Sequence, residues 1–185
     1  MRKIIYAQLV SADGYIEDDE GKIDWTEPGE TLHRHFNELE KSIAINFYGR
    51  RMSETMDYWL TADQNPDLKD YEREYARLWQ NTQRMVFSKT LDKVEGKARL
   101  LREVDPEEIT KLKSKPGKNM AVGGANLAST FIKYGLIDEF RLYIHPIVLG
   151  KGKPMFPENA NINLELLKTQ TFPRGVVLLQ YQPKH

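Results

Sequence analysis

The segment Asn119-Met120-Ala121-Val122-Gly123-Gly124 runs directly into Ala125-Asn126-Leu127. Its apolar residues predict a strand, and its two glycines predict a tight turn into a helix that reaches Tyr134 and stops at Gly135. A strand that passes at once into a helix is typical of a βαβ unit, in which neighbouring strands run parallel. This segment therefore predicts a parallel sheet with helices packed against it.

Strands and helices alternate along most of the chain. The predicted strands up to residue 135 cover residues 3–10, 43–48, 84–88, 98–101 and 119–124. The predicted helices cover residues 31–41, 67–80 and 125–134, and a further helix begins at Asp105-Pro106. After residue 135 strands dominate, at 138–145 and 176–181. We therefore expect an α/β fold with a central, mostly parallel mixed sheet, an antiparallel C-terminal edge and flanking helices, as a single domain over residues 1–185.

The composition excludes several classes of function. The chain has 185 residues, with 27 Lys and Arg against 27 Asp and Glu, so its net charge is zero. A neutral chain lacks the positive charge that is typical of nucleic-acid binders. The absence of cysteine excludes disulfides, thiolate-bound zinc and a cysteine nucleophile. Neither a signal peptide nor a membrane span of ~20 apolar residues is predicted, so we expect a cytoplasmic protein.

No metal site is predicted either. His33 and His35 lie two residues apart on a predicted helix and face different ways, so they cannot chelate one ion. The acidic run at 17–20 lacks the alternating ligand spacing of a calcium loop. His145 precedes Pro146 on a predicted strand, and we interpret it as structural.

Four predicted strand ends carry groups that suit a polar or anionic ligand. Ligands of open α/β sheets bind at the carboxyl ends of strands. These ends are Ser11-Ala12-Asp13-Gly14, Gly49-Arg50-Arg51, Ser88-Lys89-Thr90 and Gly123-Gly124-Ala125-Asn126. Glycines let backbone N–H groups at a helix N-terminus approach a phosphate, and arginines form paired hydrogen bonds with phosphate oxygens. Each motif alone also fits a plain turn or a solvated loop, but three anion-binding ends in one sheet suit the pyrophosphate and the further phosphate of NADPH.

The sequence resembles the dihydrofolate reductase-like superfamily, specifically the C-terminal reductase domain of bacterial riboflavin biosynthesis and its stand-alone relatives. The resemblance covers nearly the whole chain and rests on the order and spacing of its motifs. They are Ser11-Ala12-Asp13-Gly14, Tyr48-Gly49-Arg50-Arg51 with Tyr58-Trp59, Val86-Phe87-Ser88-Lys89-Thr90-Leu91, Val122-Gly123-Gly124-Ala125-Asn126-Leu127, and Leu136-Ile137-Asp138-Glu139-Phe140 continuing through His145-Pro146 to Met155-Phe156. The resemblance implies a sheet of about eight strands with NADPH lying across the strand ends.

The resemblance also implies a set of cofactor-binding residues. Gly49, Arg50 and Arg51 would hold the adenosine-side phosphates, and Ser88 and Lys89 would lie at the 2′-phosphate. The pyrophosphate would lie on Gly123, Gly124, Ala125 and Asn126, with Val122 included in the cofactor site. Ala7 and Ile16 would border the nicotinamide.

The substrate side of the resemblance rests on the first loop. Asp13, Gly14, Tyr15 and Trp25 would face the substrate pocket, with Asp13 as the candidate catalytic proton donor. Asp13 fits at least as well the role of accepting backbone N–H bonds in its own turn.

The chain departs from the family pattern at several positions. Met52 stands where the family commonly has Thr, Val122 where the riboflavin reductases typically have Glu, and Tyr15 where they usually have a basic residue. We expect the deaminase half of the bifunctional riboflavin enzyme to be absent. These differences leave the substrate open between a ribosylaminopyrimidine of the riboflavin pathway and a related pteridine.

We therefore expect an NADPH-dependent reductase that transfers a hydride to a C=N or C=O bond of a small heterocycle. One alternative is a dihydrofolate reductase proper, which needs a carboxylate on the first helix, where Glu38 and Glu40 stand. Another is a non-catalytic NADP-binding protein. A homodimer is expected, because the relatives usually pair and because residues 140–144 and 150–156 offer a partly apolar surface.

Overall fold

Within residues 1–184, which the computed structural model describes, the chain forms ten strands and five α-helices. The strands are β1 (Ile4–Ser11), β2 (Tyr15–Glu17), β3 (Ile43–Gly49), β4 (Gln83–Phe87), β5 (Ala98–Leu101), β6 (Asn119–Gly123), β7 (Glu139–His145), β8 (Lys153–Pro154), β9 (Leu164–Thr171) and β10 (Val177–Pro183). The helices are α1 (Glu30–Lys41), α2 (Arg50–Met56), α3 (Asp70–Asn81), α4 (Pro106–Ser114) and α5 (Ala125–Lys133).

Eight of these strands form one sheet, in the order β5-β4-β3-β6-β1-β7-β10-β9. The six strands from β5 to β7 in this order run parallel, whereas β10 is antiparallel to both β7 and β9. β2 and β8 form a separate antiparallel pair. The predicted α/β fold, with a mostly parallel mixed sheet of eight strands and an antiparallel C-terminal edge, is confirmed.

Local caps determine where two of the helices begin. Asp105 accepts hydrogen bonds from the N–H groups of Glu107 (2.9 Å) and Glu108 (3.3 Å), so α4 begins at Pro106 as predicted. The helix predicted to begin at residue 67 begins instead at residue 70. The carboxylate of Glu72 accepts the N–H of Lys69 at 3.0 Å, which fixes the first turn of α3 there.

Helices cover both faces of the sheet. Alternate residues of β1 point to opposite faces. Tyr6 and Val10 pack with Phe131 of α5 on one face, and Ala7 and Leu9 pack towards α1 on the other. The carboxyl ends of the parallel strands therefore open between two helical layers, which is where ligands of such sheets bind.

β7 and the segment 150–156 supply less exposed apolar surface than the expected homodimer was based on. It lies between β1 and β10, and Phe140 and Tyr143, on its opposite faces, are 1% and 0% exposed. Met155, in the second predicted segment, is also buried. The apolar surface here is smaller than predicted, because Phe140, Tyr143 and Met155 are buried while Leu142, Ile144 and Phe156 are only partly buried. The exposed leucines of the sheet are Leu166 and Leu167 on the edge strand β9, and the homodimer stays a prediction.

Candidate active site

The four predicted strand ends lie at one edge of the sheet. β4, β3, β6 and β1 are consecutive neighbours, and Tyr48 near the end of β3 pairs with Val86 of β4 and with Gly123 of β6. Because these strands run parallel, the residues that follow them emerge side by side. We call residues 49–51, 88–90 and 123–126 the strand-end loops.

Both glycines of the β6–α5 turn are required by the fold itself. A Cβ atom on Gly123 would lie 2.9 Å from Cε1 of Tyr48 and 3.1 Å from Cε of Met52, so this position has no room for a side chain. Gly124 has φ +87° and ψ +130°, a conformation that residues with a side chain rarely adopt. Met52, which replaces the Thr common in the family, therefore packs against this turn.

Helix α5 presents its N-terminus at the same edge. Gly124 is its N-cap, and within residues 1–184 no side chain caps it. The first N–H groups of a helix lack partners inside the helix, and its dipole favours an anion at this end. Ala125 is buried and Asn126 is exposed at the start of the helix. The turn and the helix together can accept a phosphate group through backbone N–H groups.

Three cations lie in the strand-end loops. Arg50 and Arg51 begin α2, and their side chains are 51% and 63% exposed. Arg50 lies 3.5 Å from the carboxylate of Glu54, and Arg51 lies 3.5 Å from that of Glu17. Exposed pairs of this kind contribute about 0–1 kcal/mol, so either arginine can turn towards a bound anion at little cost. Lys89 is exposed after β4.

The loop after β4 is held in shape by two residues, Ser88 and Arg102, of which Arg102 was not predicted from the sequence. Ser88 is buried, and its hydroxyl accepts the N–H groups of Thr90 (3.2 Å) and Leu91 (3.0 Å). Nη1 of Arg102 donates to the carbonyl oxygens of Ser88 (3.0 Å) and Leu91 (2.6 Å). Arg102 directly follows β5, so its position at a fifth strand end was the signal that could have identified it.

Asp13 holds a distant loop in place. Its carboxylate accepts the hydroxyl of Ser11 at 2.7 Å, the N–H of Leu149 at 3.1 Å and the N–H of Gly150 at 2.7 Å. The Ser11 hydroxyl, together with these backbone N–H groups, lowers the pKa of Asp13 below its usual value. A carboxylate that is ionised and accepts three hydrogen bonds is poorly suited to donate a proton, so the structure favours the alternative in which Asp13 accepts backbone N–H bonds. These N–H groups come from residues 149 and 150, whereas the prediction placed them in the turn of Asp13 itself.

The three predicted substrate residues lie on two segments, with Gly14 and Tyr15 consecutive at the start of β2 and Trp25 further along the chain. Gly14 has φ +93°, and its carbonyl oxygen accepts the N–H of Met155 at 3.0 Å. Tyr15 begins β2, where it pairs with Pro154. Trp25 lies in a short 3₁₀ helix (Asp24–Thr26) and, of the three, is the one that lines a cavity within the described part of the chain.

The two residues predicted to border the nicotinamide point to opposite faces of the sheet. Ile16 is buried in the hydrophobic cluster on the α5 face. Ala7 packs against the cluster on the α1 face, with Leu32 and Tyr143. That both residues border one nicotinamide ring stays a prediction. A ring in contact with both would have to lie at the strand ends, because the sheet separates the two hydrophobic clusters.

The cavity lined by Trp25 has a volume of about 430 Å³ and lies at the end of β7, beside the start of α1. Its walls come from three separated segments, namely residues 24–32, His145 and residues 173–176. His145 is 5% exposed, and its ring meets that of Trp25 edge to face with centroids 5.7 Å apart. The histidine that we interpreted as structural is therefore also part of the cavity wall.

Charged side chains surround this cavity. Its lining contains three carboxylates and one guanidinium, those of Asp24, Glu27, Glu30 and Arg174. Glu30 is the first residue of α1, and it pairs with Arg34 at 2.8 Å. Glu30 was not among the predicted carboxylates, because it lies just before residue 31, where this helix was predicted to begin.

Neither a cluster of metal-binding side chains nor a membrane-spanning helix is found within residues 1–184. No cluster of three or more His, Asp or Glu side chains in this range could hold a metal ion. Nor does any helix in the described range have the length and apolar content to cross a membrane.

Comparisons with known proteins support one family. The family model described as the RibD C-terminal domain matches residues 2–178. The uncharacterized protein YyaP of Bacillus subtilis (strain 168) is 37% identical over 182 residues, which is 97% of this chain and 94% of YyaP.

Two solved structures share the fold. A Shewanella sp. PV-4 protein named "putative riboflavin biosynthesis protein" has a TM-score of 0.76 at 24% identity, and the match covers 100% of both chains. Dihydrofolate reductase from Enterococcus faecalis, solved with NADP(H) and RAB-propyl, has a TM-score of 0.62 at 17% identity over 99% of this chain and 97% of that one. The chain therefore has a dihydrofolate reductase-like fold.

Proposed function

Since the chain belongs to the RibD C-terminal domain family, a family of reductases, we propose that it is an NADPH-dependent reductase of a small heterocycle. It transfers a hydride to a C=N or C=O bond of a ribosylaminopyrimidine or a related pteridine. One observation carries this proposal. The strand-end loops, whose glycines and cations suit an anionic ligand, lie side by side at the carboxyl ends of the parallel strands, and the cavity lies at the carboxyl end of β7 in the same sheet.

The strand-end loops fit the phosphate groups of the cofactor. The uncapped N-terminus of α5 and the Gly123-Gly124 turn would hold the pyrophosphate through backbone N–H groups. Arg50 and Arg51 would pair with phosphate oxygens in exchange for their weak surface partners. Lys89 would meet the 2′-phosphate, with Ser88 and Arg102 holding its loop in shape.

The protein's own contribution to the reaction is binding and orientation. When bound, NADPH supplies the hydride. The cavity walls, with Trp25 and His145, would hold the substrate and exclude water from it. Asp13, through Leu149 and Gly150, would position the loop after β7 rather than deliver the proton.

A screen of substrates with NADPH tests the proposal. We would follow NADPH oxidation with an aminopyrimidine that carries a ribosyl phosphate, the same pyrimidine without it, a dihydropterin and dihydrofolate. Turnover of at least one of these compounds is expected. If the protein binds NADPH but oxidises it with none of them, the non-catalytic NADP-binding alternative is favoured.

A dihydrofolate reductase proper is the second candidate, and Glu30 is the observation that favours it. This carboxylate stands at the start of α1 and lines the cavity. Its side chain is, however, 59% exposed and paired with Arg34, whereas Glu40 is buried at the other end of α1 against Asn46. Competitive inhibition by methotrexate with turnover of dihydrofolate would favour this candidate over the first.

We also propose that the enzyme is a homodimer. The exposed Leu166 and Leu167 on the edge strand β9 are consistent with a subunit contact there. Light scattering on the purified protein should give twice the mass of the chain, and a mass equal to that of one chain would contradict this.

A further inference from the structure

The ring of Tyr48 occupies the space that a side chain on Gly123 would need. A Cβ atom on Gly123 would lie 2.9 Å from Cε1 and 3.0 Å from Cδ1 of this ring. The two residues are partners in the parallel pairing of β3 with β6. Phe47 packs against Phe131 of α5, so Tyr48, the next residue, points to the opposite face of the sheet. The ring therefore lies beside the backbone that leads into the Gly123-Gly124 turn.

A buried hydrogen bond fixes this ring. Nε1 of Trp79, on α3, donates to the hydroxyl oxygen of Tyr48 at 3.0 Å. Trp79 is 0% exposed and Tyr48 is 4% exposed, and burial raises the pKa of the Tyr48 hydroxyl far above its usual value, so the hydroxyl stays neutral. A buried N–H or hydroxyl that loses its partner costs more free energy than the bond itself contributes. The pair is satisfied in one arrangement of the two rings, and this arrangement sets the tilt of the Tyr48 ring.

Trp79 has a firm support of its own. The guanidinium carbon of Arg84 lies 4.0 Å from the centroid of the indole ring. Nη1 of Arg84 donates to the carbonyl oxygens of Trp79 at 3.1 Å and Thr82 at 3.3 Å, and Nη2 donates to that of Glu95 at 3.3 Å. Arg84 is itself 2% exposed. The indole that anchors the Tyr48 hydroxyl is therefore held in place by a buried cation.

The other side chain at this glycine gives a weaker constraint. A Cβ atom on Gly123 would also lie 3.1 Å from Cε of Met52. A methionine side chain is flexible and adapts to the space around it, whereas the ring of Tyr48 is rigid and anchored at its hydroxyl. A glycine backbone rotates freely unless its surroundings restrict it. Of the two side chains, Tyr48 is the one that can fix the backbone at Gly123.

We propose that Tyr48 and Trp79 are positioning residues for the cofactor. Through their hydrogen bond they hold Gly123 in place, and they thereby orient the first N–H groups of α5, which follow Gly124, towards the pyrophosphate. Both side chains are buried, so they act through the turn and not by contact with the cofactor. Because N–H groups bind an anion well only when they converge on it, a small rotation at Gly123 weakens binding without unfolding the protein. This rests on the proposed function and deepens it.

Two ligands separate positioning of the turn from a general effect on the fold. NADPH reaches the turn through its pyrophosphate, whereas adenosine 2′-monophosphate carries the 2′-phosphate and no pyrophosphate. Tyr48→Phe keeps the ring and removes the hydroxyl, and Trp79→Phe keeps an aromatic ring beside Arg84 and removes the N–H. Each variant should bind NADPH about tenfold more weakly and adenosine 2′-monophosphate with unchanged affinity.

Calorimetric titration gives the NADPH affinity, and competition against NADPH gives that of adenosine 2′-monophosphate. Unchanged NADPH affinity in both variants would overturn the proposal. Equal losses for the two ligands would overturn it as well, because a merely structural role lowers both affinities together.

The double variant separates the hydrogen bond from its effect on stability. Each single variant leaves one buried polar group without its partner, and replacement of both partners by apolar rings removes that penalty. Tyr48→Phe combined with Trp79→Phe should therefore regain most of the stability that the single variants lose in urea unfolding. Its NADPH affinity should stay about tenfold below that of the wild type, because no bond then fixes the ring. Recovery of NADPH affinity together with stability would contradict the positioning role. Where a single variant does not fold, this variant decides the test.

Tyr75→Phe is the matched control. Tyr75 lies one turn before Trp79 on α3, and its ring packs against those of His33 and Trp59. Removal of its hydroxyl should leave both affinities unchanged. A tenfold loss of NADPH affinity in this variant would mean that any change beneath α3 disturbs the turn, which contradicts a specific role of the Tyr48–Trp79 bond.

Failure of this inference can be distinguished from failure of the proposed function. NADPH affinity is measured for the wild type and for every variant in the same experiments. If the wild type does not bind NADPH, the proposed function fails and this inference fails with it. If the wild type binds NADPH and the Tyr48 and Trp79 variants bind it equally well, the reductase proposal stands and the present inference alone fails.

Discussion

The strand-end loops and the cavity are built in different ways. The loops use backbone N–H groups, glycines and exposed cations from short consecutive segments, such as residues 123–126. The cavity uses side chains of three distant segments, and its central contact joins Trp25 to His145. The difference indicates that an anion site can be encoded locally, whereas a pocket for a specific heterocycle depends on how distant segments pack.

The largest expected effect is at the turn before α5. Gly124→Ala introduces a side chain at φ +87°, where its Cβ would lie 3.4 Å from Cβ of Met52. The strain should cost about 1–3 kcal/mol of stability. Because the turn also orients the first N–H groups of α5, we expect NADPH affinity to fall on the order of a hundredfold. Urea unfolding and calorimetric titration measure the two effects.

Gly135→Ala is the matched control for this change. Gly135 has φ +63° after the other end of α5, and a Cβ there would meet open space. Its substitution should cost about 1 kcal/mol, the strain of a left-handed residue, and leave NADPH affinity unchanged. Equal loss of NADPH affinity in both variants would mean that the turn acts only through overall stability.

A smaller effect is expected for the 2′-phosphate. Lys89→Ala should lower NADPH affinity about tenfold and leave NADH affinity nearly unchanged, since only NADPH carries this charge. Lys93→Ala, in the same loop but paired with Glu95, is the control. Titration of the wild type and the two variants with NADPH and with NADH gives the ratio of the two affinities for each protein. If Lys89→Ala lowers both affinities equally, Lys89 does not contact the 2′-phosphate.

Asp13 lies outside both regions, after the end of β1, and its substitution separates a positioning role from catalysis. Asp13→Asn should leave kcat within about threefold, because a residue that only orients a loop has a modest effect. Loss of more than about a hundredfold in kcat, with the fold intact, would restore Asp13 as a proton donor.

The pH dependence of stability gives a second readout for Asp13. Its pKa is lowered in the folded protein by the Ser11 hydroxyl and the N–H groups of residues 149 and 150. The carboxylate therefore stabilises the fold above its unfolded pKa, and this contribution is lost as the pH falls through the lowered pKa. Urea midpoints of the wild type and Asp13→Asn should differ at neutral pH and converge in acid. A difference that grows in acid would contradict this.

The smallest expected effect tests whether the two regions bind independently. Trp25→Phe should change NADPH affinity by less than about twofold, because well-separated sites behave additively. Calorimetry on the wild type and the variant measures this. A large loss of NADPH affinity would mean that the Trp25 side of the cavity holds part of the cofactor.

The sequence predicted the parallel part of the fold because it is local. Each strand-to-helix turn, such as Gly123-Gly124, carries its own signal. The order of the strands, in which β6 lies between β3 and β1, was not predicted. The sequence could not predict that β7 lies between β1 and β10, because this depends on long-range pairing. For that reason the burial of Phe140 and Tyr143 was not predicted.

The same limit applies to the candidate site. The residues of the strand-end loops were identified from contiguous motifs. His145 was interpreted as structural because it precedes Pro146 on a predicted strand, and no local pattern connects it to Trp25, 120 positions earlier. Their contact exists only after α1 and the loop at 173–176 have packed against the end of β7. Asp13 was identified, but its partners at residues 149 and 150 were not, since no local pattern connects them.

Calorimetric titration of the protein with NADPH and with NADH tests most directly the central claim that the strand-end loops bind the phosphates of NADPH. The account predicts that NADPH binds with one molecule per chain and at least about tenfold more tightly than NADH, the extra affinity coming from the cations of the strand-end loops. Binding of neither nucleotide would contradict it, because the strand-end loops would then be a feature of the fold with no cofactor to hold.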